Sequence, residues 1–257
     1  MLNFRNVNML FISLLLLSMV GEIVYGVPFY VYLILAGVYS LLLFYGCYYV
    51  GSNFFIRIIC SAKTHKKVVA LSFDDGPVAG NTLQILQTLK ENNAEAAFFC
   101  IGSRIAGNEA IFRQIHNEGH LIGNHTFSHH FWFDMFSSKT MAADIRMMDK
   151  AMDSVISKTP KLFRPPYGVT NPNLKKAIVQ GNYIPVGWSM RSMDTVIKDE
   201  KKLLNKVINK IKPGAVFLFH DTSNTTVAIL PAIIKHIRAN GYEIVRLDKM
   251  LNLQAYA

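Results

Sequence analysis

Two adjacent carboxylates follow an apolar run in the first third of the chain. The run 68–71 is typical of a buried strand, and Asp74 and Asp75 come at its end, ahead of the turn Gly76-Pro77. Two like charges side by side are costly to desolvate unless another group compensates them. A metal ion is the usual compensator, so the pair predicts a metal-dependent site.

Two histidines offer further ligands for such an ion. His125 and His129 have the spacing i, i+4, which predicts that both imidazoles lie on one turn of a helix. Histidines at this spacing are often surface residues, so the pair alone is not specific. With Asp75 it forms a two-histidine, one-carboxylate set, which leaves coordination positions open for water and substrate, as catalytic sites do.

Two more titratable residues end predicted strands. Arg164 precedes the rigid pair Pro165-Pro166, and it either braces this loop or reaches a carboxylate of the first motif. His220 ends the apolar run 216–219, where a lone histidine is more often a core residue than a catalytic one. Both alternatives remain open from the residues alone.

Strand-like and helical segments alternate through residues 61–257. Such alternation predicts parallel strands covered by helices, and the number of strands favours a distorted β/α barrel over an open sheet. Gly119, Gly181 and Gly241 each follow a helix and are expected to end it in the left-handed conformation. In parallel barrels, active sites gather at the carboxyl ends of the strands, so the polar residues above are expected to converge. The seven predicted strands are 68–73, 96–101, 120–123, 161–164, 183–188, 215–220 and 242–245.

The first 60 residues have a different composition from the rest. Residues 6–21 and 27–50 carry no charge, and the second run is long enough to cross a bilayer. We predict that residues 1–60 form a membrane anchor of two transmembrane helices that turn near residues 21–28. A signal peptide followed by one span is the alternative. Residues 61–257 are then the catalytic domain.

The net charge of the chain is +10, and it lies almost wholly outside the anchor. Scattered Lys and Arg without an aromatic-basic motif do not favour nucleic-acid binding. The basic run Arg57, Lys63, Lys66 and Lys67 beside the second span indicates contact with anionic lipid. By the positive-inside rule this run and Arg5 slightly favour the cytoplasmic face, whereas a wall or capsule polysaccharide would lie outside.

Five segments together resemble the polysaccharide deacetylase family, the chitooligosaccharide deacetylase homology domain of carbohydrate esterase family four. The likeness covers about residues 66–250, and it implies an α/β fold, a distorted barrel with fewer than eight repeats. The matching segments, in the family's order, are 72–77, 125–129, 164–168, 188–194 and 218–220.

The resemblance implies a metal-dependent hydrolase that removes N-acetyl or related N-acyl groups from an amino-sugar polysaccharide or glycoconjugate. Asp75, His125 and His129 would hold the divalent metal, commonly zinc, with cobalt or nickel as substitutes. Asp74 would be the general base, and Arg164 would orient it.

The resemblance also assigns the acid and the substrate pocket. His220 would be the general acid, and the backbone N–H of Tyr167 would help to stabilise the oxyanion. Trp188 and Leu218 would line the acetyl pocket, together with Pro166.

The fourth motif departs from the family pattern Trp-x-x-Asp-x-x-Asp-Trp. Arg191 stands where the first Asp is expected, and Thr195 replaces the second Trp. In the family the first Asp raises the basicity of the catalytic histidine, so Asp194 is the candidate to tune His220 here. The missing Trp leaves the substrate preference open.

Three other functions compete with a polysaccharide deacetylase. The altered fourth motif allows a membrane-anchored carbohydrate-binding protein without activity. The hydrophobic anchor and the basic run allow a deacylase or deformylase of a lipid-linked amino sugar. Membrane-tethered nucleic-acid binding depends on charge alone.

Overall fold

The computed structural model describes residues 2–257, which form nine α-helices and eight strands. The helices are α1 (Phe4–Tyr25), α2 (Phe29–Tyr48), α3 (Asn81–Glu91), α4 (Glu109–Asn117), α5 (Ser138–Ile156), α6 (Pro172–Gln180), α7 (Glu200–Ile208), α8 (Asn224–Ala239) and α9 (Leu247–Leu251). The strands are β1 (Val68–Asp74), β2 (Ala97–Cys100), β3 (Leu121–Asn124), β4 (Leu162–Phe163), β5 (Ile184–Pro185), β6 (Met190–Arg191), β7 (Ala215–His220) and β8 (Glu243–Ile244).

The strands form one parallel sheet in the order β5-β4-β3-β2-β1-β7-β6, and β8 pairs with the start of β1. This arrangement confirms the predicted α/β class and the distorted barrel. The seven predicted strands are all present, and the two-residue strand β6 was not predicted. No apolar run marks this strand in the sequence, where Met190 is flanked by Ser189 and Arg191.

Successive residues of β1 and β7 point to opposite faces of the sheet, as the period of two requires. Leu71 and Phe217 belong to the large core that packs under the surrounding helices, whereas Ala70 and Val216 belong to a smaller cluster on the concave face. Both faces are therefore apolar over most of each strand, as expected of a parallel sheet covered on both sides. Ser72, Asp74, Leu218 and His220 continue the concave series at the carboxyl ends of these strands.

The segment that follows α2 lies between the two edges of the sheet. Ile59 forms a parallel bridge to Val186 at one edge, and Ser61 forms an antiparallel bridge to Ala215 near the other. The backbone N–H of Ala62 also donates to the carbonyl of Gly214 at 2.9 Å. Residues 59–62 thus cover the open seam of the barrel.

Local sequence signals set several element ends. The Asn171 side chain caps α6 by accepting from the N–H of Leu174, as Asn before Pro at a helix start indicates. Gly119 and Gly241 adopt the predicted positive φ, at 86° and 75°. The prediction for Gly181 was wrong, because the left-handed position falls on the next residue, Asn182, with a φ of 54°.

The two N-terminal helices are each long and apolar enough to cross a membrane. Their mean hydropathies are 2.1 for α1 and 1.8 for α2, and most of their surface is exposed. The Tyr39 hydroxyl of α2 donates to the Asn8 side chain of α1 at 2.9 Å, and the two helices pack against each other. Such a pair is compatible with a membrane anchor or with a signal sequence.

Candidate active site

The two motif carboxylates occupy different surroundings at the end of β1. Asp74 is 2% exposed and lies on the concave face beside His220, its register partner on β7. Asp75 follows the strand with a φ of 79°. Its side chain therefore does not continue the alternation of side chains between the two faces of the sheet. Its backbone is held on both sides, because its N–H donates to the Phe99 carbonyl and its own carbonyl accepts from Arg104.

Asp75, His125 and His129 lie together at the mouth of the barrel. One ligand atom from each residue falls within 4.8 Å of the other two. The Nε2 atoms of His125 and His129 are each 3.6 Å from Oδ1 of Asp75. Two imidazole nitrogens and one carboxylate oxygen are donors that Zn²⁺ accepts, and three protein ligands leave room for water or substrate. The residues present therefore fit a catalytic divalent cation.

The two histidines do not share a helical turn, so that prediction was wrong. Residues 125–130 form a loop after β3, with positive φ values of 68° at Thr126 and 44° at His129. The side chain of Asp144 on α5 accepts from the N–H groups of Phe127 and Ser128. These bonds satisfy the loop backbone in place of helical ones, and they bring the two imidazoles together.

Hydrogen bonding and burial prepare the two imidazoles to bind a metal. Nδ1 of His125 lies 2.8 Å from the Arg164 carbonyl, so the proton belongs on Nδ1 and Nε2 is left free for a metal. Burial, followed by the neighbouring His125, lowers the pKa of His129 to about 4. His129 is therefore unprotonated at neutral pH, as a metal ligand must be.

Arg164 contacts the first motif and is completely buried. Its Nη1 donates to Asp74 Oδ1 at 2.6 Å and to Ser72 Oγ at 2.8 Å, and its Nη2 donates to the Gly187 carbonyl. The guanidinium carbon lies 3.9 Å from the centroid of the Phe99 ring. Arg164 and Asp74 thus form a buried ion pair at the end of β1. Of the two alternatives from sequence, the geometry supports the one in which Arg164 reaches the carboxylate.

His220 is joined to Asp194 in a buried network. Nδ1 of His220 lies 2.8 Å from Oδ1 of Asp194, and the His220 N–H donates to Oδ2 at 2.7 Å. The hydroxyls of Ser192 and Thr226 also donate to this carboxylate. Burial opposes protonation of His220, but the hydrogen bond and charge of Asp194 outweigh it and raise the pKa of the imidazole. His220 therefore keeps its proton to a higher pH than an ordinary histidine does.

The residues assigned to the substrate pocket lie around this centre. The ring of Tyr167 is 4.9 Å from that of His129 and is 46% exposed, whereas Pro166 and Leu218 are buried. Trp188 packs against the concave cluster, and its ring lies 5.9 Å from the Arg164 guanidinium. The structure thus brings the predicted metal ligands, base and acid together, with Tyr167 beside them.

Phe131 and Trp132 extend the rim of this mouth and were not singled out from the sequence. Phe131 is 67% exposed and Trp132 is 59% exposed, and the Phe131 ring lies 6.4 Å from that of Tyr167. Exposed aromatic rings beside a catalytic mouth offer flat apolar faces to a ligand. The signal in the sequence was the aromatic run 131–133 directly after the histidine motif.

Asp221 is a second residue that the sequence did not indicate. It is completely buried, and its Oδ2 accepts from the Thr82 hydroxyl at 2.7 Å. A Cβ on Gly76 would overlap its carboxyl group, which explains why the turn after Asp75 requires glycine. Burial raises the pKa of Asp221 to about 7. The Asp221 carboxyl therefore packs directly against the turn that follows the metal ligand Asp75.

The raised pKa of Asp221 leads to a stability prediction for the metal-free protein. The folded state keeps a proton that the unfolded state loses above about pH 4, so the contribution of Asp221 to stability is fully present below pH 4 and is lost as the pH rises through 7. Between pH 5 and 8 the loss is about 2–3 kcal/mol. In Asp221→Asn this contribution is absent. Urea unfolding at both pH values, with wild type and variant in parallel, measures the difference, and parallel pH profiles would contradict it.

Comparisons with known proteins identify the family of this chain. The polysaccharide deacetylase family model matches residues 61–186. A peptidoglycan-N-acetylglucosamine deacetylase of Bacillus cereus is 34% identical over 192 residues, which are 73% of this chain and 89% of that protein. The deacetylase PgdA of Listeria monocytogenes is 31% identical over 79% of this chain, and the match covers 42% of its length.

A solved structure shares the fold as well. The Bc1960 peptidoglycan N-acetylglucosamine deacetylase superposes with a TM-score of 0.72 at 32% identity, covering 77% of this chain and 94% of that one. The chain therefore belongs to the polysaccharide deacetylase family. It is a metal-dependent hydrolase that removes N-acyl groups from amino-sugar glycans, which confirms the class predicted from sequence.

Proposed function

We propose that this chain is a zinc-dependent deacetylase of N-acetylated amino sugars in a cell-wall glycan. The single observation that carries the proposal is the convergence of Asp75, His125 and His129, with Asp74 3.8 Å from the Nε2 of His125. The names of the relatives support peptidoglycan as the class of glycan. Cobalt or nickel fit the same donors, and zinc has the usual preference for this set.

Each site residue has a separate role in the proposed reaction. Asp75, His125 and His129 would hold a divalent cation, which would polarise the carbonyl as a Lewis acid and lower the pKa of a water. Asp74 takes the proton of the attacking water, and Arg164 orients this carboxylate through its hydrogen bond to Oδ1. The backbone N–H of Tyr167 stabilises the oxyanion of the tetrahedral intermediate.

His220 completes the reaction by donating a proton to the departing amine. Without it, the leaving group would be an amide anion, and the C–N bond would not break. Asp194 orients the ring through Nδ1, so Nε2 carries the proton to be donated. Leu218, Trp188 and Pro166 form the apolar pocket for the acetyl methyl group.

Asp194 is expected to set the alkaline limb of the pH–rate profile. Because Asp194 raises the pKa of His220, Asp194→Asn lowers it, and the protonated acid is lost at a lower pH. We expect kcat/KM at pH 8 to fall about 10²-fold, with the alkaline limb moved to lower pH and metal content unchanged. A uniform loss at every pH would contradict a tuning role. Arg191→Gln, three residues earlier in the same motif and without a hydrogen bond to His220, is the control and should leave the limb in place.

The proposed reaction is tested by release of acetate from N-acetylglucosamine oligomers and from purified peptidoglycan. The alternative of a carbohydrate-binding protein without activity gives binding but no acetate. The buried Asp74–Arg164 pair beside three metal ligands favours hydrolysis, because a binding protein has no need for a carboxylate base there.

We also propose that residues 1–60 are a membrane anchor of two transmembrane helices and that residues 61–257 are the catalytic domain. The exposed apolar surfaces of α1 and α2 support this division. Membrane fractions should retain the full chain after alkaline washing, and release of the chain would overturn the anchor. A reporter fused to the C-terminus identifies the side of the membrane that the enzyme faces.

One contact favours a lipid-linked amino sugar as a second candidate substrate. Thr170, three residues after Tyr167, donates from its N–H to the Cys47 carbonyl and from its hydroxyl to the Gly46 carbonyl, each at 3.0 Å. The last turn of α2 is therefore fastened beside the catalytic mouth. Mass spectrometry of lipid-linked sugars from cells with and without the protein tests this candidate, and identical spectra would reject it.

A further inference from the structure

A groove of about 990 Å³ adjoins the catalytic mouth and has no role in the chemistry described so far. Tyr167 and Trp188 line it and belong also to the proposed substrate site. Its other walls come from the end of α2 and the segment that follows it, within residues 48–64, and from residues 250–252 at the end of α9. The groove thus shares two residues with the proposed substrate site, and its volume is large enough to hold sugar units beside the reacting one.

The groove is strongly basic. Its lining includes four cations and, among the described residues, neither Asp nor Glu. None of the four cations forms an ion pair with a described residue. Uncompensated charges of one sign in a cleft attract a ligand of the opposite sign. The four cations are Arg57, Lys63, Arg191 and Lys212.

One of the four cations, Arg191, is also the residue at which the fourth motif differs from the family pattern. A positive side chain stands where the family pattern has an aspartate, so the charge of the wall changes by two relative to that pattern. Its guanidinium carbon lies 5.9 Å from the centroid of the Trp188 ring, directly beside the proposed acetyl pocket. The positive charge therefore begins at the active site itself.

We propose that the groove binds acidic sugar units, carrying carboxylates, next to the amino sugar that is deacetylated. This inference rests on the proposed function and specifies its substrate class as an acidic glycan instead of a neutral one such as chitin. Lysine and arginine side chains at an open groove form ion pairs with carboxylates in contact with solvent, so each pair contributes little to binding. Their combined contribution to the binding free energy is screened by salt. We expect about a tenfold lower KM for an acidic glycan at low salt.

Two tetrasaccharides of alternating N-acetylglucosamine and N-acetylmuramic acid provide the matched substrates. One keeps its free lactyl carboxylates, and in the other each carboxylate is converted to a carboxamide of nearly the same shape. Acetate release by the full chain in detergent gives KM and kcat for each. We expect the acidic form to have about a tenfold lower KM at low salt, and most of this difference to vanish near 0.5 M salt, where the Debye length is only a few ångströms.

A pair of variants tests whether the groove is responsible. Lys63→Gln/Lys212→Gln removes two groove charges, and Lys201→Gln/Lys202→Gln removes two exposed charges from α7, outside the groove lining. The groove variant should raise KM for the acidic tetrasaccharide about threefold to tenfold and leave KM for the carboxamide unchanged. The control should change neither.

The outcomes separate this inference from the proposed function. Acetate from both substrates with equal KM, or an equal effect of both variants, overturns the acidic groove and leaves the deacetylase intact. Turnover only of a polyprenyl-diphosphate N-acetylglucosamine in vesicles also overturns it, in favour of a lipid phosphate as the groove's ligand. No acetate from any substrate by a zinc-loaded protein overturns the proposed function itself.

Discussion

Asp74→Asn is expected to keep the metal and lose about 10²–10⁴ in kcat. The substitution preserves the size of the side chain and one oxygen that can accept from Arg164, whose Nη1 lies 2.6 Å from Oδ1. It removes the negative charge and the basicity that proton abstraction requires. Metal content by atomic emission and acetate release measured on the same sample check both halves of the result.

Asp75→Asn is the matched comparison for this variant. The two carboxylates are neighbours in sequence, but only Asp75 belongs to the metal set, with its Oδ1 3.6 Å from both imidazole Nε2 atoms. Asp75→Asn should therefore lose metal together with activity. Wild-type rates in Asp74→Asn, or loss of metal from it, would remove the assignment of Asp74 as the base.

His125→Ala is expected to lose the metal and, with it, about 10³-fold or more of the rate. One of three protein ligands disappears, and the cation contributes several kcal/mol of transition-state stabilisation, each 1.4 kcal/mol of which corresponds to about a factor of ten. Residual activity should rise with added zinc, because two ligands still bind weakly. Zinc titration followed by acetate release measures both the affinity and the rate.

His130→Ala is the control for the histidine variant. His130 is adjacent to the motif, is exposed and is not part of the metal set. It should retain wild-type metal content and activity. A fully loaded and active His125→Ala enzyme would contradict the ligand assignment.

The barrel could be predicted because its main strands have sequence patterns that are recognisable from neighbouring residues alone. In β1 and β7 long apolar runs end in polar residues, and such runs are readable without knowledge of the partner strand. The convergence of Asp74, Arg164 and His220 also followed from topology alone, because parallel strands place their carboxyl ends at one edge.

The conformation of the histidine motif was not predictable from its spacing. The spacing i, i+4 suits a helix, but Asp144, 15 residues beyond His129, holds the backbone of Phe127 and Ser128 in a loop. A tertiary hydrogen bond of this kind leaves no periodic signal in the sequence. The positive φ of Thr126 likewise contradicts local preference and is imposed by the surrounding contacts.

Two further features depend on contacts between distant parts of the chain. Asp221 follows His220 in sequence, but its role comes from the overlap that it would have with a side chain at position 76. The position of residues 59–62 over the seam of the barrel was not predictable from the sequence. This segment forms only isolated bridges, at Ile59 and at Ser61, and such bridges produce no strand pattern.

Removal and return of the metal test the central claim most directly. The claim is that Asp75, His125 and His129 hold one divalent cation on which hydrolysis depends. Chelated full-length protein should release no acetate, and activity should return in proportion to added zinc until one equivalent per chain is bound. Undiminished hydrolysis by protein that is free of metal would contradict the account.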